Sequence, residues 1–137
     1  MPTKREKIIA ALHGKLQSIG EIHHNLEKPH KVPLSGLMIL RDGTSSEPEI
    51  ILSPLTYIYE HTVTLEILAQ KNDESVIQAL LLKIALIIEN NRSLDGLAEW
   101  IEAKAPYFNE EAIEGSTTIR MVNIEIIIRY STDNPLN

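Results

Sequence analysis

Thr56-Tyr57-Ile58-Tyr59-Glu60-His61-Thr62-Val63-Thr64-Leu65-Glu66-Ile67-Leu68-Ala69 is the stretch whose reading decides the fold. Tyr57, Tyr59, His61, Val63, Leu65 and Ile67 fall on one face by strict alternation. Thr56, Ile58, Glu60, Thr62, Thr64 and Glu66 fall on the other. A period of two places successive side chains on opposite sides of a strand. One apolar and one mostly polar side predict a strand in an antiparallel sheet that is covered on one face. Its length is well beyond the usual strand of about 5–6 residues. Such a strand is expected to run past the sheet as a hairpin arm.

Both flanks read as elements that pack on this strand. Downstream, Asp73 stands where a helix cap belongs. Val76, Ile77, Leu80, Leu81, Ile84, Leu86, Ile87 and Ile88 then make a helix apolar around much of its circumference. One side of it is expected on the sheet, with the rest open to another subunit. Asn90-Asn91 ends it and Ser93-Leu94-Asp95-Gly96 turns. Leu97 to Lys104 scans as either a helical turn or a strand, and Pro106 favours the strand. Asn109 to Gly115 reads as an acidic loop. Thr117 to Ser131 reads as a second long strand, carrying Ile119, Val122, Ile124, Ile126, Ile127, Ile128 and Tyr130.

Upstream, Thr3-Lys4-Arg5-Glu6 has capping-box form. Ile8, Ile9, Leu12, Leu16 and Ile19 follow at helical spacing, which predicts a helix over residues 4–18 stopped at Gly20. Residues 21–26 read as a weak strand. Pro29 and Pro33 forbid a helix between them. Leu37 to Arg41 reads as a short strand that Asp42-Gly43 ends, and Gly43 to Pro48 as an exposed loop. The order predicts an α+β fold, with two main helices on one face of a mostly antiparallel sheet with long strands. The length of 137 residues predicts a single domain over 1–137.

Composition limits the function. Apolar residues are 43% and charged residues 23%, which speaks against wholesale disorder. Aromatics are 4%, so the core must be mostly Ile and Leu. No cysteine is present, so no disulfide scaffold, thiolate metal site or cysteine nucleophile is expected. The charged N-terminus has no apolar run behind it and does not read as a signal peptide. The most apolar stretch, Val76 to Ile88, is too short for a bilayer, which takes about 20 apolar residues. The net charge of −6 argues against a duplex-DNA binder. Residues 1–41 hold seven Lys/Arg and three Asp/Glu, whereas residues 42–137 hold six and sixteen. These are either two solvated surfaces of opposite sign or two halves of a head-to-tail contact between copies.

The search for catalytic chemistry finds no motif. The five histidines (13, 23, 24, 30 and 61) show no HxH, HxxxH or HExxH spacing. Adjacent His23 and His24 would point to opposite faces of a strand, and no metal or other cofactor is expected. No GxSxG elbow, GxGxxG or GxxxxGK[ST] occurs. Ser35-Gly36 and Ser53-Pro54 read as turns. The carboxylate pairs Glu47/Glu49 and Glu110/Glu111 fall in expected loops, and Glu60 and Glu66 lie well apart on one strand. Trp100 is the only tryptophan; it reads as a core or an interface residue, and the shortage of aromatic anchors favours the interface.

Four segments together resemble small proteins encoded among the tail genes of tailed phages and prophages, including those of rhizobia. They are Leu37-Met38-Ile39-Leu40-Arg41-Asp42-Gly43, Leu52-Ser53-Pro54-Leu55-Thr56-Tyr57-Ile58-Tyr59-Glu60-His61, Arg92-Ser93-Leu94-Asp95-Gly96-Leu97 and Tyr130-Ser131-Thr132-Asp133-Asn134-Pro135-Leu136. Some relatives carry an acyl-CoA transferase label, an activity with no support in these residues. The order of elements is also similar to the lambda-type tail terminator and minor tail protein fold. The resemblance implies a structural tail protein and not an enzyme. Its subunits would form a hexameric ring that caps the tail tube and contributes to the head–tail junction. The implied partners are copies of itself, the tail tube protein and head–tail connector proteins. No membrane and no specific nucleic-acid binding are implied, although the genome would pass through the lumen. The implied location is the virion tail, and the host cytoplasm during assembly. A different head–tail joining role, or another small binding module, is the alternative. Interface candidates are Arg41, Asp42, Glu47, Glu49, Tyr57, Tyr59, Glu60, Trp100 and Arg120.

Overall fold

A computed structural model describes residues 2–27, 32–70, 73–112 and 118–137. Helix α1 spans Lys4–Gln17, and the Thr3 hydroxyl accepts a hydrogen bond from the Glu6 amide at its start. Strands β1 (Ile22–His24), β2 (Leu37–Ser45), β3 (Glu49–Leu52) and β4 (Leu55–Gln70) follow. Helix α2 spans Glu74–Asn90, and β5 (Trp100–Ala103), β6 (Tyr107–Ala112) and β7 (Thr118–Thr132) complete the order. Among the described residues two helices and a seven-stranded sheet make the α+β class expected from the sequence.

The sheet runs β1-β2-β4-β7-β5, with β3 added beside β4 and β6 beside β7. Every pairing is antiparallel except β1 with β2. The spine is the β4–β7 ladder, in register from Tyr57 opposite Thr132 to Gln70 opposite Ile119. The alternation of β4 falls as read. Tyr59, His61, Val63, Leu65 and Ile67 are buried on the helix-covered side. Ile8, Leu12 and Leu16 of α1 and Ile77, Leu80, Ile84 and Ile88 of α2 pack there, against Ile124, Ile126, Ile128 and Tyr130 of β7. The opposite face is half polar. It buries one small cluster of Val32, Leu37, Ile39, Leu68 and Ile119.

Several expectations are corrected. Asp42-Gly43 does not end β2. It forms a bulge, the register slips between Arg41 and Thr44, and pairing to β4 resumes through Ser45. Gly43 makes this possible by adopting φ +67°, where an added Cβ would lie 1.7 Å from the Thr62 carbonyl oxygen. The expected loop therefore shrinks to residues 46–48, and β3 begins at once. Residues 109–112, expected in a loop, belong to β6, which pairs along β7 from Tyr107 opposite Asn123. The rest of that expected loop, residues 113–115, lies outside the described residues, as does the stretch 28–31. Asp73 precedes α2, but its side chain makes no capping bond.

Candidate assembly surface

The longest strand outruns its cover. At about 3.3 Å per residue the sixteen residues of β4 extend roughly 50 Å; α2, at 1.5 Å per residue, spans about 25 Å, and α1 carries the cover on as far as Lys4, which donates to the Ser131 carbonyl opposite Ile58. The excess carries a hairpin. Glu49 pairs with Ile58, Ile50 with Tyr57, Ile51 with Thr56 and Leu52 with Leu55, around the Ser53–Pro54 turn. Ile50 and Ile51 favour the extended backbone, and proline keeps the turn out of helix. All four β3 residues are exposed. Leu52 is 81% exposed and Leu55 46%. Among the described residues β3 pairs with β4 alone, so its outer edge is open.

A second apolar surface lies on α2. Its buried stripe turns Ile77, Leu80, Ile84 and Ile88 inward. The opposite side presents Leu82 at 70% and Leu86 at 57% exposure, one turn apart, with Ala79 and Lys83 exposed beside them. Isolated exposed leucines are ordinary; here they are grouped on two separate elements.

On the open sheet face, register gathers charge. Arg129 lies directly across from Glu60 on one side and Trp100 on the other. Its guanidinium reaches Glu99 at 3.3 Å, Glu60 at 3.5 Å and Glu49 at 3.7 Å. One cation among three carboxylates leaves the patch acidic. The Arg92 guanidinium lies 4.6 Å over the Trp100 ring and donates to the Ile101 carbonyl at 2.7 Å. Arg41 makes a two-point contact with Glu66, at 2.8 and 3.2 Å. That bond raises the Arg41 pKa against the effect of burial.

A cavity of about 850 Å³ opens between α1 and the β2 bulge, lined among others by Arg5, His13, His24, Asp42, Ser45 and His61. Buried His61 donates from Nε2 to the Asp42 carbonyl, and its Nδ1 lies 2.6 Å from the Ser45 hydroxyl. With Nε2 carrying the proton, Nδ1 is the acceptor and Ser45 donates. Burial and Arg5 push the His61 pKa down, against the Asp42 carbonyl and carboxylate. His13 is also held low, by burial and then by His24 and His23. Burial opposes charge on Asp42, yet hydrogen bonds from Asn25 and His24 hold its carboxyl below the usual range. The histidine fastens the bulge to β4, since both ring nitrogens are used on β2. Among the described residues no three His, Cys, Asp or Glu side chains converge as a metal site requires.

The nine interface candidates separate into groups. Glu49 and Glu60 meet at Arg129, with Trp100 on the same cross-strand row. Glu47 is exposed next to the arm. Tyr57 packs half-buried at the arm's root. Tyr59 is buried, stacked on Tyr130 with ring centroids 5.4 Å apart. Arg41 and Asp42 serve the sheet face and the bulge. Arg120 reaches Glu74 at 3.4 Å and lies over Phe108. Arg129, Ile50, Leu52, Leu82 and Leu86 are not among the nine candidates, although Leu86 belongs to the apolar circumference expected of α2. The leucines were legible as apolar positions beyond the buried stripe of α2; Arg129 is found only through strand register.

No protein-family model matches the chain, and no curated protein matches it. Among solved structures, the cryo-EM sheath/tube terminator of an extracellular contractile injection system, PVC, in its extended state, is similar with a TM-score of 0.39 and 13% identity. The match covers 96% of this chain and 56% of that one, so this chain spans little more than half the length of the matched protein. At that score the likeness is too slight to carry a functional inference.

Proposed function

We propose that this chain is a structural tail protein of a phage or prophage that works by assembling with copies of itself. The assembly is a ring, hexameric as in the terminator family that the sequence resembles, which caps the tail tube and contributes to the head–tail junction. Tube and connector proteins are its further partners, and it resides in the virion tail after assembly in the host cytoplasm. Function is carried by surfaces and not by catalysis.

The observation that supports self-assembly most strongly is the β3–β4 arm. Ile50, Ile51, Leu52 and Leu55 are exposed together at the end of a strand that the chain's own helices do not reach. Fully burying an exposed aliphatic side chain is worth about 1.5–3 kcal/mol; an isolated subunit forgoes most of that at Leu52 and about half at Ile50, Ile51 and Leu55. Separate apolar surfaces on one subunit suit a heterologous contact, which closes into a ring when the rotation permits. Negative-stain electron microscopy of the purified protein tests the proposal. Closed rings with a central opening are expected. Only particles of single-chain size, at every concentration tried, would count against it.

A further inference from the structure

We propose that the β3–β4 arm of one copy docks on the outer face of α2 of the next copy. The proposal rests on the self-assembly reading above and assigns its contact.

One chain cannot make this contact with itself. The start of α2 is tied to the Ala69 level of the sheet, because Glu74 pairs with Arg120 and Arg120 lies opposite Ala69. From there α2 runs back toward the level of Ile101, whose carbonyl Arg92 holds. Leu86 is then about 18 Å along the helix. The tip at Leu55 is about 46 Å along β4 from the same level. The two apolar surfaces are therefore separated by roughly 30 Å in one subunit. Only a second copy can bring them together, and a contact between different surfaces leaves a free arm at one end and a free helix at the other.

The surfaces also fit in length and charge. From Ala79 to Leu86 the exposed stripe is about 10 Å long, and from Glu49 to Leu52 the arm strand is about 10 Å long. Residues 46–56 carry Glu47 and Glu49 and no basic side chain. On α2 exposed Lys83 lies beside Leu82 and Leu86, with exposed Glu89 one turn beyond and Glu74 at the start, so the basic charge of the helical layer comes from α1. Helix α1, which packs against α2, holds Lys4, Arg5, Lys7 and Lys15 against the single Glu6. An acidic, apolar arm on an apolar, basic layer also accounts for the charge split along the chain.

The chain has no cysteine, so introduced thiols are the only ones that react. Leu52→Cys and Leu86→Cys are made as two separate proteins, both at exposed positions. They are treated with a short bismaleimide, alone and mixed in equal amounts, with circular dichroism confirming the fold of each. The proposal expects a cross-linked dimer in the mixture, at least ten-fold above either protein alone. Equal cross-linking within a single variant would mean like-with-like contacts and would overturn it. No cross-link in the mixture, while the unmodified protein runs as an assembly, would also overturn the contact and leave self-assembly standing. An unmodified protein that is monomeric under the same conditions would remove both.

Discussion

Replacing Gly43 by alanine tests the physical account of the bulge that sets the β2–β4 register. Gly43 sits at φ +67°, and a side chain in that conformation costs about 1 kcal/mol for a residue other than glycine. The larger effect is steric. The new Cβ would lie 1.7 Å from the Thr62 oxygen, 2.8 Å from the Thr62 carbonyl carbon and 3.0 Å from the Val63 Cα. These are backbone atoms of β4, which cannot rotate aside as a side chain would, so β2 must draw away. That movement strains the bond from His61 to the Asp42 carbonyl, and a buried hydrogen-bonding group left unsatisfied costs about 1–3 kcal/mol. The sum is about 3 kcal/mol or more, which lowers the melting temperature by about 10 °C for a domain of this size. Gly14→Ala is the matched control. Gly14 lies in α1 with nothing within 4 Å of an added Cβ, and alanine there is expected to stabilise by about 0.5–1 kcal/mol. Thermal melts followed by circular dichroism, in one buffer, read both changes. A Gly43→Ala protein melting within about 2 °C of the unmodified chain would refute the reasoning, since 3 kcal/mol cannot be hidden in so small a shift.

Two further predictions follow from charge. His61 and His13 are both held below the ordinary histidine pKa in the folded chain. The unfolded chain therefore binds more protons below about pH 6.5, and stability present above that pH is lost as pH falls through the folded values. The groups around this pair are Arg5 and Glu6 from α1, His23 and His24 from β1 and Asp42 from β2. Urea unfolding from pH 7.5 to 5.0 is expected to show a falling midpoint, and a flat profile would contradict the burial of His61. Arg129→Ala leaves Glu49, Glu60 and Glu99 facing one another without their common cation. The expected loss is about 1 kcal/mol at low ionic strength, shrinking in high salt because the groups are partly exposed. An equal loss at both ionic strengths would point to lost packing instead.

The long elements were legible because their pattern is local. In β4 the period of two is written residue by residue from Tyr57 to Ile67, and from Tyr59 to Ile67 the helix-covered face is buried at every position. The same holds for α1, where Ile8, Leu12 and Leu16 repeat at helical spacing. The short elements were not legible, since their conformation is imposed by a partner. Tyr107-Phe108 favours a strand, but it is followed by Asn109-Glu110-Glu111 with no apolar alternation, and the segment becomes β6 by pairing with β7. Glu49-Ile50-Ile51-Leu52 was hidden behind a polar turn and becomes β3 by pairing with β4. The extension of β2 past Asp42-Gly43 depends on a bulge, and the same dipeptide serves as a turn elsewhere. The charged patch is further still from the sequence. Glu49, Glu60, Glu99 and Arg129 come from separate segments, and only the β4–β7 and β5–β7 registers bring them together. The two exposed apolar surfaces were half visible. The overhanging strand and the excess of apolar residues on α2 were both read, but which side chains remain outside is decided by packing.

The mass of the protein in solution tests the central claim most directly. Light scattering coupled to gel filtration is applied to the unmodified chain and to a Leu52→Asp/Leu55→Asp double variant, across a wide concentration range. Leu52 and Leu55 are 81% and 46% exposed and face each other across the hairpin, so the paired carboxylates weaken the arm locally, and circular dichroism checks that the variant keeps the rest of its fold. The account predicts six times 15.4 kDa for the unmodified chain and 15.4 kDa for the variant. A single-chain mass for the unmodified protein at every concentration would contradict it.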